Sequence, residues 1–226
     1  MDLRAADENP SVDQGAEASE YWNNPLLPYR ERRSTWGAEV VLGYSLYSPQ
    51  DYVPNFVVNK TMSSYYTGAP NNLLELTVGP KRNFSFGSIS LDFSGGTYSI
   101  TSADGSTLSV TPVRIGTTLA LDTLFSQPYV VPYGSVGAYT AIYREQVASQ
   151  AVAGRTSIAP YFAFGLKFQL DWMDPKDETD DSETGLQSTY LFVEARDFTK
   201  TKDKNVDLGS PTSSPFQIGG GLYLEF

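Results

Sequence analysis

The chain has 226 residues and a formal net charge of -10, and it contains neither cysteine nor histidine. Disulfides, thiolate and imidazole metal sites, and Cys–His or Ser–His–Asp catalysis are therefore excluded. An acidic chain without a basic stripe also argues against nucleic acid as a partner.

Residues 1–33 are predicted to form a polar, mostly irregular leader, because Asp, Glu, Asn, Pro and Ser dominate without periodicity. The residues Met1–Arg4 lack the apolar core of a signal peptide, so an exported chain is expected to have lost its signal already. No run of about 18 apolar residues marks a transmembrane helix.

From residue 34 to residue 226, apolar and polar residues alternate along eight segments, which is the pattern of β-strands with two unlike faces. In the clearest segment, Phe162, Phe164 and Leu166 share one face, whereas Gly165 and Lys167 lie on the other. For the fifth segment, residues 129–143, the sequence does not decide which face is apolar, because large residues occur at both odd and even positions. The segments are residues 35–47, 73–82, 84–95, 108–122, 129–143, 156–172, 186–198 and 216–226.

Three features indicate that the apolar face meets lipid. Segment 156–172 is longer than the roughly 5–6 residues of a typical soluble strand. The polar faces carry mostly small or uncharged residues, which suit a narrow lumen better than a solvated surface. The chain also ends in an alternating strand that closes on Phe226. This aromatic C-terminus resembles the recognition signal of bacterial outer-membrane proteins that the barrel-assembly machinery reads. The sequence therefore predicts an all-β, eight-stranded antiparallel up-and-down transmembrane β-barrel over residues 34–226.

Several short motifs add a family resemblance over residues 35–226. They are Leu76–Lys81, Val131–Gly134, Asp171–Pro175, Thr189–Phe192 and Leu224–Phe226. In these motifs the chain resembles a family of small outer-membrane β-barrels of Gram-negative bacteria, with the OmpA-type eight-stranded architecture. The resemblance implies this fold but no activity and no functional residues.

An even number of strands places both termini on one side of the membrane, which is the periplasm for this class. The outer loops are then predicted at residues 48–72, 95–107, 144–155 and 199–215, and Ala103–Gly105 is predicted as a tight hairpin turn. Inner connections are predicted at residues 82–84, 123–128 and 173–185.

The polar phase of the strands carries charges of both signs, which are expected to pair inside the lumen because an isolated interior charge is costly. A structural plug of salt bridges is the preferred interpretation. A gated polar path for water or small ions, a proton relay and an active site are the alternatives. The predicted interior polar network is Glu39, Glu75, Asp92, Arg114, Lys167, Glu194 and Arg196, and Lys81, Asp171 and Glu225 share its phase. The predicted assembly signal is Tyr223, Leu224 and Phe226.

Other candidate sites are weaker. The acidic run 174–183 could hold a hard cation, but it lacks the glycine and the spacing of an EF-hand loop, so a solvated connection is favoured. No specific pair of residues marks a hydrolase. Basic residues of the outer loops could meet lipopolysaccharide phosphates, although they are sparse. These are Lys60, Arg144, Arg155, Lys200, Lys202 and Lys204.

The sequence thus predicts a non-enzymatic barrel without catalytic residues, cofactor or metal. Its preferred role is structural or interactive, with outer loops exposed at the cell surface, and a small passive channel for ions or small solutes is the alternative. The expected partners are outer-membrane lipids, lipopolysaccharide and, during biogenesis, the barrel-assembly machinery. The barrel is expected to be a monomer.

Overall fold

The computed structural model describes residue 29, residues 33–47, residue 54 and residues 62–66, 72–170, 185–201 and 216–226. Most of the predicted leader 1–33, the acidic run 174–183, Asp171 and the loop residues Lys60, Lys202 and Lys204 lie outside the described residues.

Nine β-strands follow one another along the described chain, with one short helix between the first two. The strands are β1 (Trp36–Leu46), β2 (Asn72–Phe84), β3 (Gly87–Thr101), β4 (Thr107–Ala120), β5 (Val130–Val147), β6 (Gln150–Arg155), β7 (Ala159–Gln169), β8 (Ser188–Phe198) and β9 (Gln217–Glu225), and the helix is α1 (Met62–Tyr65). No helix in the described residues is long and apolar enough to cross a membrane.

The strands close into a barrel in which neighbours in sequence are neighbours in the sheet. Each pair is antiparallel, and β1 closes the ring by pairing with β9. The strands β6 and β7 together occupy one of the eight strand positions of the barrel. The first half of β5 pairs with β7, and its second half pairs with β6. Residues 156–158 interrupt this strand position between β6 and β7, although the backbone N–H of Thr156 still donates to the carbonyl of Ala141 over 2.9 Å. The predicted eight-stranded antiparallel barrel is confirmed.

Alternation along each strand separates an outer apolar face from an inner polar one. On β3, Ile89 and Phe93 are exposed, whereas Ser90 and Asp92 are buried. The open phase of β5 is resolved as well: Tyr139 points inward, and its even-numbered neighbours face outward. Because strand side chains alternate between the two faces of a sheet, one phase holds throughout each strand.

Strand ends differ from several predicted bounds. The strand β2 continues to Phe84, so the β2–β3 turn lies at residues 85–86 rather than at 82–84. The strand β3 reaches Thr101, which reduces the predicted loop 95–107 to a turn at residues 102–106. Gly105 takes a φ of 84° there and its N–H donates to Ser102 over 3.1 Å, so the predicted hairpin turn is confirmed. We call the end with the β2–β3 turn the lower end and that with the β3–β4 turn the upper end.

The predicted outer loop 144–155 is wrong. These residues extend β5 to Val147, turn, and return as β6 in a regular antiparallel ladder. The segment contains Arg, Glu, Gln and Ser without strong apolar alternation, a pattern that predicts a loop. The register shows why it is a strand: Glu145 is fully buried on the inner face, whereas Arg144 faces outward.

Candidate functional site

A central ion cluster occupies the middle of the lumen and is organised by one carboxylate. Glu75 on β2 accepts a hydrogen bond from Nε of Arg114 on β4 at 3.0 Å, and its second oxygen pairs with Nη1 of Arg196 on β8. Arg196 also donates from Nη2 to Oε1 of Glu194 at 2.5 Å. Two arginines and two carboxylates thus neutralise one another across the barrel, as a desolvated charge requires.

Uncharged groups fix the two arginines in place. Arg114 donates from Nη2 to Oγ of Ser94 at 2.9 Å, and its guanidinium carbon lies 4.9 Å from the ring centre of Tyr161. The hydroxyl of Tyr133 donates to Oε2 of Glu194 over 3.0 Å. The planar guanidinium group suits such combined pairing and stacking.

A second group of charges lies on the lower side of the central cluster. Glu39 accepts a hydrogen bond from the hydroxyl of Tyr223, and Nζ of Lys167 lies 3.3 Å from the ring centre of that tyrosine. Asp92 accepts hydrogen bonds from Ser90, over 2.6 Å, and from Thr118. The fully buried ammonium of Lys167 therefore rests on an aromatic face amid carboxylates.

A cavity of about 50 Å³ separates the two groups, and Glu39, Glu75, Asp92 and Arg114 are among its lining residues. One water needs roughly 10–15 Å³ of such space and two to four polar partners, so the cavity can hold a few waters. Most of its lining residues carry charged or hydroxyl groups.

The lower end of the lumen is closed by a third ion cluster, which includes residues of the predicted leader. Lys81 pairs with Glu225 at 2.5 Å, and Arg33 pairs with Asp122 at 2.5 Å. Tyr29 donates its hydroxyl proton to Oε2 of Glu225 over 3.1 Å. Burial, with the negative charges of Glu225 and Asp122, raises the pKa of Tyr29. The end of the leader is therefore part of the lumen filling.

The upper end is filled mainly by aromatic and aliphatic side chains. Phe198 contacts Tyr47, Tyr139 and Tyr161, with ring centres 6.3, 4.6 and 6.2 Å away. Gly116 makes room for this packing, because a Cβ there would collide with the hydroxyl of Tyr161. The full cluster consists of Tyr47, Tyr66, Leu73, Tyr98, Ile100, Leu108, Val110, Tyr139, Ala141, Ala159, Tyr161 and Phe198.

Helix α1 and the residue that follows it, Tyr66, cover this aromatic cluster. The hydroxyl of Tyr65 donates to Asp104 at 2.6 Å, and that of Tyr66 donates to the buried Glu145 at 3.3 Å. Burial and the Glu145 charge raise the pKa of Tyr66. Hydrogen bonds from Ser102, Tyr65 and Ser106 lower the pKa of Asp104.

The structure brings all seven residues of the predicted interior polar network into the lumen. Tyr29, Arg33, Asp122 and Glu145 also belong to the lumen and were missed. Arg30, Arg32 and Arg33 form a basic cluster at the end of the leader, which was a usable signal for Arg33. Glu145 was missed because its segment was taken for a loop, and Asp122 because it follows the last alternating residue of β4. Among the described residues, no cluster of acidic side chains fits a metal ion.

The residues of the predicted assembly signal occupy both faces of the last strand. Tyr223 points into the lumen, whereas Leu224 is half-buried and the Phe226 side chain is 36% exposed. The backbone of Phe226 is tied to β1: its N–H donates to Ala38 over 2.9 Å, and its carbonyl accepts from Ala38 over 2.8 Å.

The outer surface of the barrel is an apolar band with aromatic residues at its ends. Leu42, Leu76 and Phe164 are about half exposed at mid-height, and Trp36 at the lower end is 63% exposed. At mid-height the charged groups are inside and the outer face is hydrophobic, which is the reverse of a water-soluble barrel. Such a surface is stable only against hydrocarbon, and aromatic residues at both edges belong to this architecture. The chain is a transmembrane β-barrel of the outer-membrane type.

No protein-family model matches this β-barrel. No curated protein matches it either. Several solved structures are similar to it at low sequence identity. Ail, the attachment invasion locus protein of Yersinia pestis, in complex with the heparin analogue sucrose octasulfate, has a TM-score of 0.45 and 11% identity, over 84% of this chain and 97% of Ail.

Two further structures are similar to the same extent. The Neisserial surface protein A has a TM-score of 0.45 and 7% identity, over 85% of this chain and 96% of that one. The N-terminal β-barrel domain of OprF from Pseudomonas aeruginosa has a TM-score of 0.40 and 11% identity, over 85% of this chain and 98% of that domain.

Proposed function

We propose that this barrel is an integral protein of a bacterial outer membrane with a structural or interaction role, displaying its upper loops at the cell surface and conducting no solute. The filled lumen carries the proposal: an ion cluster with Tyr29 closes the lower end, and an aromatic cluster around Phe198 closes the upper end. Interiors of eight-stranded barrels are generally just wide enough to be filled by side chains. The absence of His and Cys supports a role without catalysis.

Planar-bilayer conductance tests the proposed closed lumen. The refolded full chain should give no steady unitary current steps, with a porin added to the same bilayer as proof that steps are detectable. Reproducible unitary steps of the parent chain would overturn the structural reading in favour of a channel.

A small passive channel is the second candidate, and the polar cavity beside Glu75 favours it. Water in that cavity and the surrounding charges would provide the middle of an ion path. Conduction would require both end clusters to open. In the same bilayer assay, steps that appear only when Tyr29 and Arg33 are replaced by alanine would mark a path closed by the leader.

We also propose that both termini of the barrel face the periplasm. The start of β1 and the end of β9 lie at the same end, since Phe226 pairs with Ala38. Single cysteines can test this because the parent chain has none. A membrane-impermeant maleimide should label Gln150→Cys at the upper end of intact cells, and Ser34→Cys only after the outer membrane is permeabilised. The reverse labelling pattern would show that both termini face the outside of the cell.

The proposed partners are the lipids and lipopolysaccharide of that membrane, with the barrel-assembly machinery during biogenesis. A monomer is proposed because the closed ring leaves no open sheet edge along the apolar band.

A further inference from the structure

The strands β3 to β6 extend beyond the apolar band at the upper end and form a sheet there whose outer face is mostly polar. The outward residues of β3 change from Leu91 and Phe93 to Ser99 and Thr101, all of them exposed. The same change occurs on β4, where Val113 is followed toward the turn by Thr111, Ser109 and Thr107. The edge of the hydrocarbon region therefore lies just below the row of Thr111.

Two arginines stand together on the outer face of this extension. Ser109 pairs with Arg144, and Ile142 pairs with Arg155, so the arginines are diagonal neighbours on the same face of β5 and β6. Diagonal neighbours in a sheet have Cα atoms roughly 7–8 Å apart, which lets two long side chains converge on one ligand. Both side chains are exposed, and neither forms an ion pair with a described residue.

The outer face of this extension is cationic although the chain as a whole is acidic. The adjacent carboxylate, Glu145, points to the opposite face, where it is fully buried and bonded to Tyr66. The outward side chains of the adjoining β3 and β4 are hydroxyl groups, among them Ser99 and Ser109, whose oxygens lie 3.5 Å apart, whereas β5 and β6 add the exposed Ile142 and Ala153. Guanidinium and hydroxyl groups together are the donors that a phosphorylated sugar requires.

The height of the arginines matches the headgroup region of a membrane. Arg155 shares the row of Thr111 and Ile142, which is the first row above Val113. One row corresponds to two residues, or roughly 6–7 Å along a strand. Each headgroup region of a bilayer is roughly 5–8 Å deep, which is comparable with one or two rows, so both arginines lie in or near it.

We propose that Ser109, Thr111, Arg144 and Arg155 form a binding surface for the phosphorylated sugar headgroup of an anionic lipid in the outer leaflet. The acyl chains of that lipid would lie on Val113 and Ile115 directly below, which are both exposed. The inference rests on the proposed insertion in an outer membrane and names one lipid surface of the protein. It does not depend on whether the lumen conducts.

Native mass spectrometry of the full chain in a neutral detergent tests this surface, with diphosphoryl lipid A as the probe. The double variant Arg144→Gln/Arg155→Gln should bind the probe more than tenfold less tightly, because each arginine near an anionic headgroup contributes about fivefold. The matched control is Arg82→Gln, which removes an exposed arginine of β2 at the lower end. Electrophoretic mobility before and after boiling verifies that each variant is folded.

Three results would overturn the proposal: equal binding by parent and double variant, an equal loss in Arg82→Gln, or equal binding of lipid A without its phosphates. A soluble glucosamine phosphate distinguishes a lipid from a free sugar. It should bind far more weakly than lipid A because it has no acyl chains to pack on Val113. Binding as tight as that of lipid A would assign the surface to a soluble ligand instead. Conductance of the parent chain would refute the closed lumen and leave these outcomes unchanged.

Discussion

Nε of Arg114 lies 3.0 Å from Oε1 of Glu75, and the other oxygen of the same carboxylate is held by Arg196. Three strands that do not pair with one another, β2, β4 and β8, are thereby joined through the lumen. Closeness in sequence does not explain this contact, because Glu75 and Arg196 are 121 residues apart. It forms because closure of the sheet points all three side chains at one axis.

Glu75→Gln should therefore be among the most destabilising single substitutions in the lumen. Arg196 keeps Glu194 as a partner, but Arg114 loses its ion pair while remaining buried. Removing one partner of a buried pair generally costs about 3–5 kcal/mol. Urea unfolding of the barrel in detergent, followed by circular dichroism, measures the loss. The control Arg82→Gln, which loses a stacking contact with Trp36, should cost about 1 kcal/mol or less. Similar losses in both variants would show that the central cluster contributes little.

Phe164→Arg should destabilise the barrel in a lipid bilayer because it places a charge near mid-height of the apolar band. Phe164 lies at the middle of β7 and is about half exposed. A lipid-facing arginine costs roughly 2–4 kcal/mol at the midplane and about 0–1 kcal/mol near the interface. Thr97→Arg, on the outer face of β3 above the band, is the matched control with the smaller expected cost. Unfolding free energies in phosphatidylcholine vesicles that are equal for the two variants would contradict the assigned band.

Periodicity predicted much of this fold because lipid outside and charge inside impose a strict two-residue alternation on a strand. It also placed Glu75, Arg114 and Arg196 on the inner face. Their pairing could not be predicted, since partners across a lumen depend on the stagger between strands, which no single strand encodes. The same limit hid β6, where alternation is weak and only pairing with β5 stabilises the strand. The lumen contact of Tyr29 was hidden because an irregular segment has no period.

The contact between helix α1 and the β3–β4 turn should weaken at low pH, when Asp104 becomes protonated. Its pKa is lowered by hydrogen bonds from Ser102, Tyr65 and Ser106. A lowered folded-state pKa means that the contact contributes stability above the ordinary carboxyl pKa of about 3.9 and loses it as pH falls through the lowered value. The amide proton of Ser106, which donates to Oδ1 of Asp104 at 3.1 Å, reports this change as an NMR shift. The shift should titrate below pH ~3.9 and be absent in Asp104→Asn. A titration that persists in Asp104→Asn would assign it to another group.

The end of the leader should be energetically coupled to the barrel through Arg33 and Asp122. Their side chains lie 2.5 Å apart and are almost fully buried. A double-mutant cycle with Arg33→Gln and Asp122→Asn should give a coupling of roughly 0.5–3 kcal/mol in urea unfolding. Asp104 at the opposite end provides the control cycle, in which the effects of Arg33→Gln and Asp104→Asn should add. A coupling near zero between Arg33 and Asp122 would mean that the leader does not close the lower end in solution.

Phe226 is predicted to act in assembly beyond its contribution to folding. Phe226→Ala keeps both backbone hydrogen bonds to Ala38 and removes a partly exposed ring, so the folding cost should stay below about 1.5–3 kcal/mol. The variant should refold from urea into detergent micelles as the parent does, yet its level in the outer membrane of cells should fall strongly. Phe216→Ala removes a similarly exposed ring just before β9, at the other end of that strand, and should leave this level unchanged. A recognition signal acts during insertion, so a barrel that is stable once folded cannot compensate for its loss. Equal membrane levels for the parent and Phe226→Ala would therefore show that Phe226 is an ordinary lipid contact.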